Sequence, residues 1–206
     1  MCCRYYIEPD NTELQSISEA ARSSVVLDRF HRAVQKALIT GGEIAPSMIV
    51  PVIARNRSGI RSYFPMQWGY NLERKNLLVN ARIETAAQKP MFQESWYTHR
   101  CIIPASYYFE WQHYLLPNGR KDTGDRYLLQ PRGAAVTWLC GLYRLESGLP
   151  HFVILTRPPS EPIGFIHDRM PLIIAEKDID DWINPTMKAE EIAYRALTDI
   201  YFQRAG

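Results

Sequence analysis

The chain has 206 residues, 46% hydrophobic and 22% charged, with a formal net charge of +2. This is enough for one good core in a single domain over residues 1–206, and too near neutral for a global basic field, so any nucleic-acid surface must be a local cluster. No run approaches the ~18 apolar residues of a membrane span, and the first twenty residues, with Glu8, Asp10, Glu13 and Glu19, lack an apolar signal core, so the expectation is a cytoplasmic protein without membrane contact.

Arg4-Tyr5-Tyr6-Ile7 reads as a strand, punctuated by Glu8-Pro9-Asp10-Asn11. Thr12 is the expected N-cap of a helical stretch through Leu14, Ile17, Ala21 and Val25, then Phe30, Val34 and Leu38, stopping at Gly41-Gly42. Ser23-Ser24 would divide it in two. Met48–Ala54 and Ile60–Met66 read as a hairpin turning at Arg55-Asn56-Arg57-Ser58-Gly59. Leu77–Glu84 begins as a strand, and Thr85–Trp96 reads as helix interrupted at Pro90. Arg100–Ile103, Tyr107–His113, Tyr127–Gln130, Ala134–Arg144 and His151–Thr156 continue the β pattern, with a polar loop from Pro117 to Asp125. Short helices near Lys177–Ile183 and Ala189–Tyr201 close the chain. Strands and helices alternate without a βαβ rhythm, which predicts an α+β fold with a curved, largely antiparallel sheet.

Of four cysteines, Cys101 and Cys140 sit in apolar runs and read as small buried hydrophobes; there is no CxxC pair and no His/Cys set at zinc-like spacing. Cys2 and Cys3 are different. If Met1 is removed, Cys2 carries an α-amine and a thiol separated by two carbons, and one aldehyde carbon bridging nitrogen and sulfur closes a five-membered thiazolidine. An internal cysteine lacks the free amine. The amine titrates near ~7.7–8.0 and the thiol near ~8.5, so both have a nucleophilic fraction at neutral pH.

Polar residues within apolar strands mark further candidates, because burying them costs free energy unless they are paired. Asn80 and Arg82 lie two apart in one strand, with a shared face expected. Glu110 is flanked by aromatics in Tyr107-Tyr108-Phe109-Glu110-Trp111, which should raise its pKa into a range useful for proton transfer. His167, before Asp168-Arg169, suits proton movement at neutral pH. Trp68 and Trp111 could offer stacking faces to unpaired bases. Structural roles stay open for each: Asn80 satisfying a strand end, Glu110 paired with Arg82, His167 as a packing residue, and the tryptophans as core.

Met1-Cys2, Trp68-Gly69, Asn80-Ala81-Arg82-Ile83-Glu84-Thr85, Phe109-Glu110-Trp111 and Ile166-His167-Asp168-Arg169-Met170-Pro171 occur in the order seen in the SRAP family, the SOS-response-associated peptidase-like proteins, and the chain resembles that family from residue 2 to about 175. The resemblance implies an α+β fold around a pseudo-barrel and a cofactor-free monomer. It also implies binding to single-stranded DNA and covalent capture of abasic sites through Cys2. In that reading Asn80 holds the amine of Cys2, Glu110 assists imine formation, and His167 assists sugar ring opening and thiazolidine closure or reversal. Arg4, Arg82 and Arg169 belong with the DNA contacts, and Trp68 and Trp111 would line the channel. Cys3 stands where the family usually has glycine, Ile44 replaces a polar residue, and Arg157-Pro158-Pro159 is unusual before the His167 motif. Two rivals remain: an N-terminal-nucleophile thiol hydrolase or peptidase, and a single-stranded DNA-binding module in which Cys2 is inert.

Overall fold

The computed structural model describes residues 3–73 and 76–205. Alternating burial makes Arg4–Ile7 a strand, β1, with Tyr5 and Ile7 turned into the core. Helices α1 (Thr12–Arg22) and α2 (Val25–Val34) follow. The cap of α1 is Asn11 rather than Thr12, its side chain accepting the Leu14 N–H at 3.1 Å. Ser24 caps α2 in the same way, so the break expected at the serine pair is present. Helix α2 stops at Val34, ahead of the glycine pair, because Gln35 takes a left-handed conformation with φ 53°. Gly42 instead opens strand β2 (Gly42–Ile44).

Strands β3 (Ile49–Arg55) and β4 (Arg61–Trp68) form the expected hairpin, and β5 (Tyr70–Asn71) pairs with β6 (Leu77–Leu78). Strand β7 (Asn80–Arg82) leads directly into α3 (Ile83–Ala86), and Pro90 opens a separate helix, α4 (Pro90–Thr98). Then come β8 (Arg100–Ala105), β9 (Tyr107–Leu115), β10 (Lys121–Pro131), β11 (Thr137–Glu146), β12 (Leu149–Arg157), β13 (Met170–Pro171) and β14 (Ile173–Ile174). Helices α5 (Ile179–Trp182) and α6 (Ala189–Tyr194) precede a last strand, β15 (Ile200–Ala205). That strand corrects the expected helix to Tyr201: Ile200-Tyr201-Phe202 pairs along β10, with Ile200 opposite Pro131 and Phe202 opposite Leu129.

The order β12-β4-β3-β8-β11, with β11 returning to β12, closes a five-stranded ring. Its neighbours are antiparallel except at β4 and β12, which run parallel at His151↔Gln67 and Phe152↔Trp68. This is the expected pseudo-barrel in an α+β fold. A five-stranded antiparallel sheet, β15-β10-β9-β1-β2, accompanies it. Gly141 sits where three barrel strands crowd together. A Cβ there would lie 2.6 Å from Ile103 Cδ1 and 2.8 Å from the Val153 carbonyl, so no larger residue fits without moving backbone. Cys101 and Cys140 are fully buried in this barrel, and burial pushes both thiols well above their ordinary pKa, as expected of packing cysteines.

Candidate active site

Strand β1 runs beside β9 with Arg4 opposite Phe109, so Cys3 arrives next to Glu110. Cys2 itself lies outside the described residues. The Cys3 thiol is half-buried, and burial raises its pKa, with the charge of Glu110 acting in the same direction. Glu110 is 3% exposed between its aromatic neighbours, and burial pushes its carboxyl up to about 7.

The segment carrying His167 is tied down on both sides. The His113 N–H of β9 donates to the Ile166 carbonyl at 2.9 Å, and Met170 and Pro171 pair with Arg157 and Thr156 of β12. This brings His167 Nδ1 to 4.0 Å from Glu110 Oε1, with both residues buried. His113 covers the imidazole, its ring centroid 4.5 Å away. The same Nδ1 accepts from the Arg169 N–H at 3.0 Å and lies 2.9 Å from Asp168 Oδ1. A neutral ring with its proton on Nε2 suits the backbone donor, and an imidazolium suits the carboxylate. The surroundings thus hold the ring in place in either protonation state.

Asn80 is buried at 6% exposure, opposite Ile154 in a parallel pairing of β7 with β12. Arg82, opposite Thr156, is exposed where β7 ends and α3 begins. The two therefore differ in environment despite their spacing. The pairing of Glu110 with Arg82 that the sequence left open does not occur; the basic partner of Glu84, two residues further on, is Arg169.

Arg169, expected among the DNA contacts, forms a clasp. Only 8% exposed, it donates to Glu84 Oε1 at 2.6 Å, to Glu84 Oε2 at 2.9 Å and to the Thr156 carbonyl at 2.6 Å. Its guanidinium thereby joins α3, β12 and the His167 segment, and its hydrogen bonds hold Glu84 below the usual carboxylate range. Trp68, expected to line the DNA channel, lies in the core. It is 0% exposed, donates from Nε1 to the Val79 carbonyl at 3.0 Å and packs against Tyr5 and Phe152, so neither ring face is available to a base.

Trp111 stays partly exposed, opposite Arg126 across the β9–β10 pair. The Arg126 guanidinium lies 3.6 Å from the Phe109 ring centroid and 5.1 Å from that of Trp111. Its other contact is Glu43 Oε2 at 2.6 Å, while Glu43 Oε1 lies 3.3 Å from Arg4 Nε. Arg4 also donates from Nη1 to the Cys3 carbonyl at 2.7 Å. Glu43, Arg126 and His113 were not singled out by the sequence. Their placement depends on strand register, although the polar positions opposite Trp111 in a β9–β10 hairpin would have pointed to Arg126.

The model of the family described as SOS response associated peptidase (SRAP) matches residues 1–204. The chain belongs to the SRAP family. The SRAP chain is 32% identical over 154 residues to the abasic site processing protein YoaM of Bacillus subtilis, covering 69% of this chain and 65% of that one. It is 36% identical over 113 residues to YobE of the same organism, covering 52% and 49%, and 29% identical over 136 residues to YedK of Escherichia coli, covering 62% and 57%; both are likewise named abasic site processing proteins. These matches span about half to two thirds of the relatives' lengths. The SRAP fold recurs in a solved protein from Bacteroides thetaiotaomicron, with TM-score 0.72 and 20% identity over 100% of this chain and 92% of that one. A phage-related protein from Bordetella bronchiseptica gives 0.68 and 20%, over 99% and 94%.

Proposed function

We propose that this SRAP chain processes abasic sites in DNA by binding single-stranded DNA as a monomer and joining Cys2, freed of Met1, to the lesion as a thiazolidine. The observation that carries the reading is the buried pair of Glu110 and His167, 4.0 Å apart beside the strand that begins at Arg4. Family membership and the names of the relatives support it.

The Cys2 amine attacks the aldehyde carbon of the ring-opened sugar and forms a carbinolamine. A carboxyl poised near 7 is suited to protonate the departing hydroxyl and, once water has left, to take the proton from the iminium nitrogen, so that an imine remains. The thiol then adds its sulfur to the imine carbon, and its proton passes to the imine nitrogen, closing the ring. His167 is suited to relay protons in sugar ring opening and in thiazolidine closure or reversal, and Asn80 to hold the amine. Arg4, with Glu43 against it, and the exposed Arg82 would meet flanking phosphates without reading sequence, while the free part of Trp111 would stack on a base.

The test is intact mass after mixing with a single strand carrying one abasic site. Three proteins are compared: the mature chain, Cys2→Ala, and a chain whose amine is blocked by a tag. The mature chain should give a stable adduct, Cys2→Ala only a labile one trapped by borohydride, and the blocked chain neither. Stable crosslinking by the blocked chain would overturn the mechanism. A Cys2→Ala protein that matches the mature chain would mean that the thiol takes no part.

A further inference from the structure

Two adjoining cavities of about 340 and 580 Å³ lie at the barrel end formed by the β3–β4 and β11–β12 turns. They share Arg55, Asn56, Arg57, His99 and Tyr143, and Arg29 of α2 adds a further guanidinium to the larger one. Among the described residues neither is lined by a carboxylate. Arg29 and Arg57 are exposed. Arg55 is half-buried, and its Nε–H, fully shielded from solvent, meets no acceptor among the described residues. Burial pushes the Tyr143 hydroxyl up to about 12, so it stays a donor, and His99 packs edge-on against its ring at 4.9 Å.

We infer that this cleft is a second DNA-binding site, taking the phosphodiester backbone of the strand that runs away from the lesion. Three guanidiniums and a phenol supply donors for phosphate oxygens, and the exposed Val25 and Leu145 give the larger cavity apolar walls for a sugar or base. The inference rests on reading the chain as DNA-binding. The cleft is remote from Glu110 and His167. It sits where β12 begins, whereas the His167 segment is pinned where β12 ends. From Leu149 to Thr156 the strand rises about 23 Å at roughly 3.3 Å per residue. At the duplex rise of about 3.4 Å per nucleotide a DNA strand covers that in about 7 nucleotides.

The experiment compares abasic single strands of ~5 and ~25 nucleotides, each with the lesion at its centre so that the shorter has only about two nucleotides on either side and cannot reach the cleft, using wild type and the exposed double variant Arg29→Ala/Arg57→Ala. Fluorescence anisotropy reads affinity, and adduct yield is read in parallel. On the long strand, losing two phosphate contacts at a slope of about 0.7 each should make a fourfold rise in salt cost about sevenfold less affinity in the variant than in wild type. On the short strand the two proteins should bind and crosslink alike. An unchanged salt slope on the long strand, or an equal loss on both strands, would overturn the inference. If wild type makes no adduct with either strand, the proposed chemistry fails, while anisotropy on an intact long strand still tests the cleft.

Discussion

Arg169 grips Glu84 through both carboxylate oxygens, at 2.6 and 2.9 Å, across the end of β12. Arg169→Ala removes a fork-shaped double hydrogen bond and leaves the Thr156 carbonyl without its guanidinium donor. The expected loss of stability is about 2–3 kcal/mol, because the group removed is the buried member of the pair. Arg169→Lys should recover only part of it, since an ammonium cannot span both oxygens. Urea denaturation checks this, and an Arg169→Ala midpoint equal to wild type would show that the clasp carries no load.

Glu110 makes stability depend on pH. Its folded pKa of about 7 exceeds the ordinary 4.5, so the folded chain binds the proton more tightly than the unfolded one. The resulting stability is fully present below about 4.5 and is lost as pH rises through about 7. Glu110→Gln removes the dependence. Its stability relative to wild type should rise by at most ~3 kcal/mol between pH 4 and pH 8, as read from urea midpoints at both values. A constant difference would refute the assignment.

Glu43 lies between Arg4 and Arg126 and occupies both. If those arginines meet phosphate, Glu43→Gln should tighten binding to single strands and add about 0.7 to the salt slope for each new contact. Anisotropy across a salt series checks it, with weaker binding as the contrary result.

His167→Ala should leave DNA affinity near wild type and slow adduct formation, reversal or both by ~10²–10⁴-fold, the usual worth of positioned proton transfer. Single-turnover gels measure both directions. Equal rates in the two proteins would leave His167 as a packing residue beneath His113.

Trp68→Ala should cost about 3–5 kcal/mol as a buried cavity mutation. The cleaner comparison is Trp68→Phe, which keeps a ring but loses the hydrogen bond to Val79. It should lower the melting temperature without changing DNA affinity in the folded protein. A selective loss of DNA binding would restore Trp68 to the DNA surface.

What could be read from the sequence divides along one physical line. The raised pKa of Glu110, the packing role of Cys101 and Cys140, and the break before α2 follow from neighbours in the chain. The surroundings of Trp68 and Arg169 are set by β12, a strand distant in sequence, so their burial is not legible from chain neighbours. The last strand was read as helix because the apolar run at Ile200 extends the spacing of α6, and only β10 gives it a pairing edge. Glu43 and Arg126 meet through register alone, since β2 and β10 both reach the site beside β1 and β9.

The barrel closes where Gln67 and Trp68 meet His151 and Phe152, residues far apart in the chain. Joining them means closing a long loop before the contacts repay it, which places closure late in folding. Strand β12 also anchors the segment bearing His167 at its other end, so a growing chain that has not reached Arg157 lacks both the closed ring and the strand that holds His167 beside Glu110. Stopped-flow tryptophan fluorescence, with Trp68 stacked on Phe152 at 6.1 Å, would time the moment when that changes.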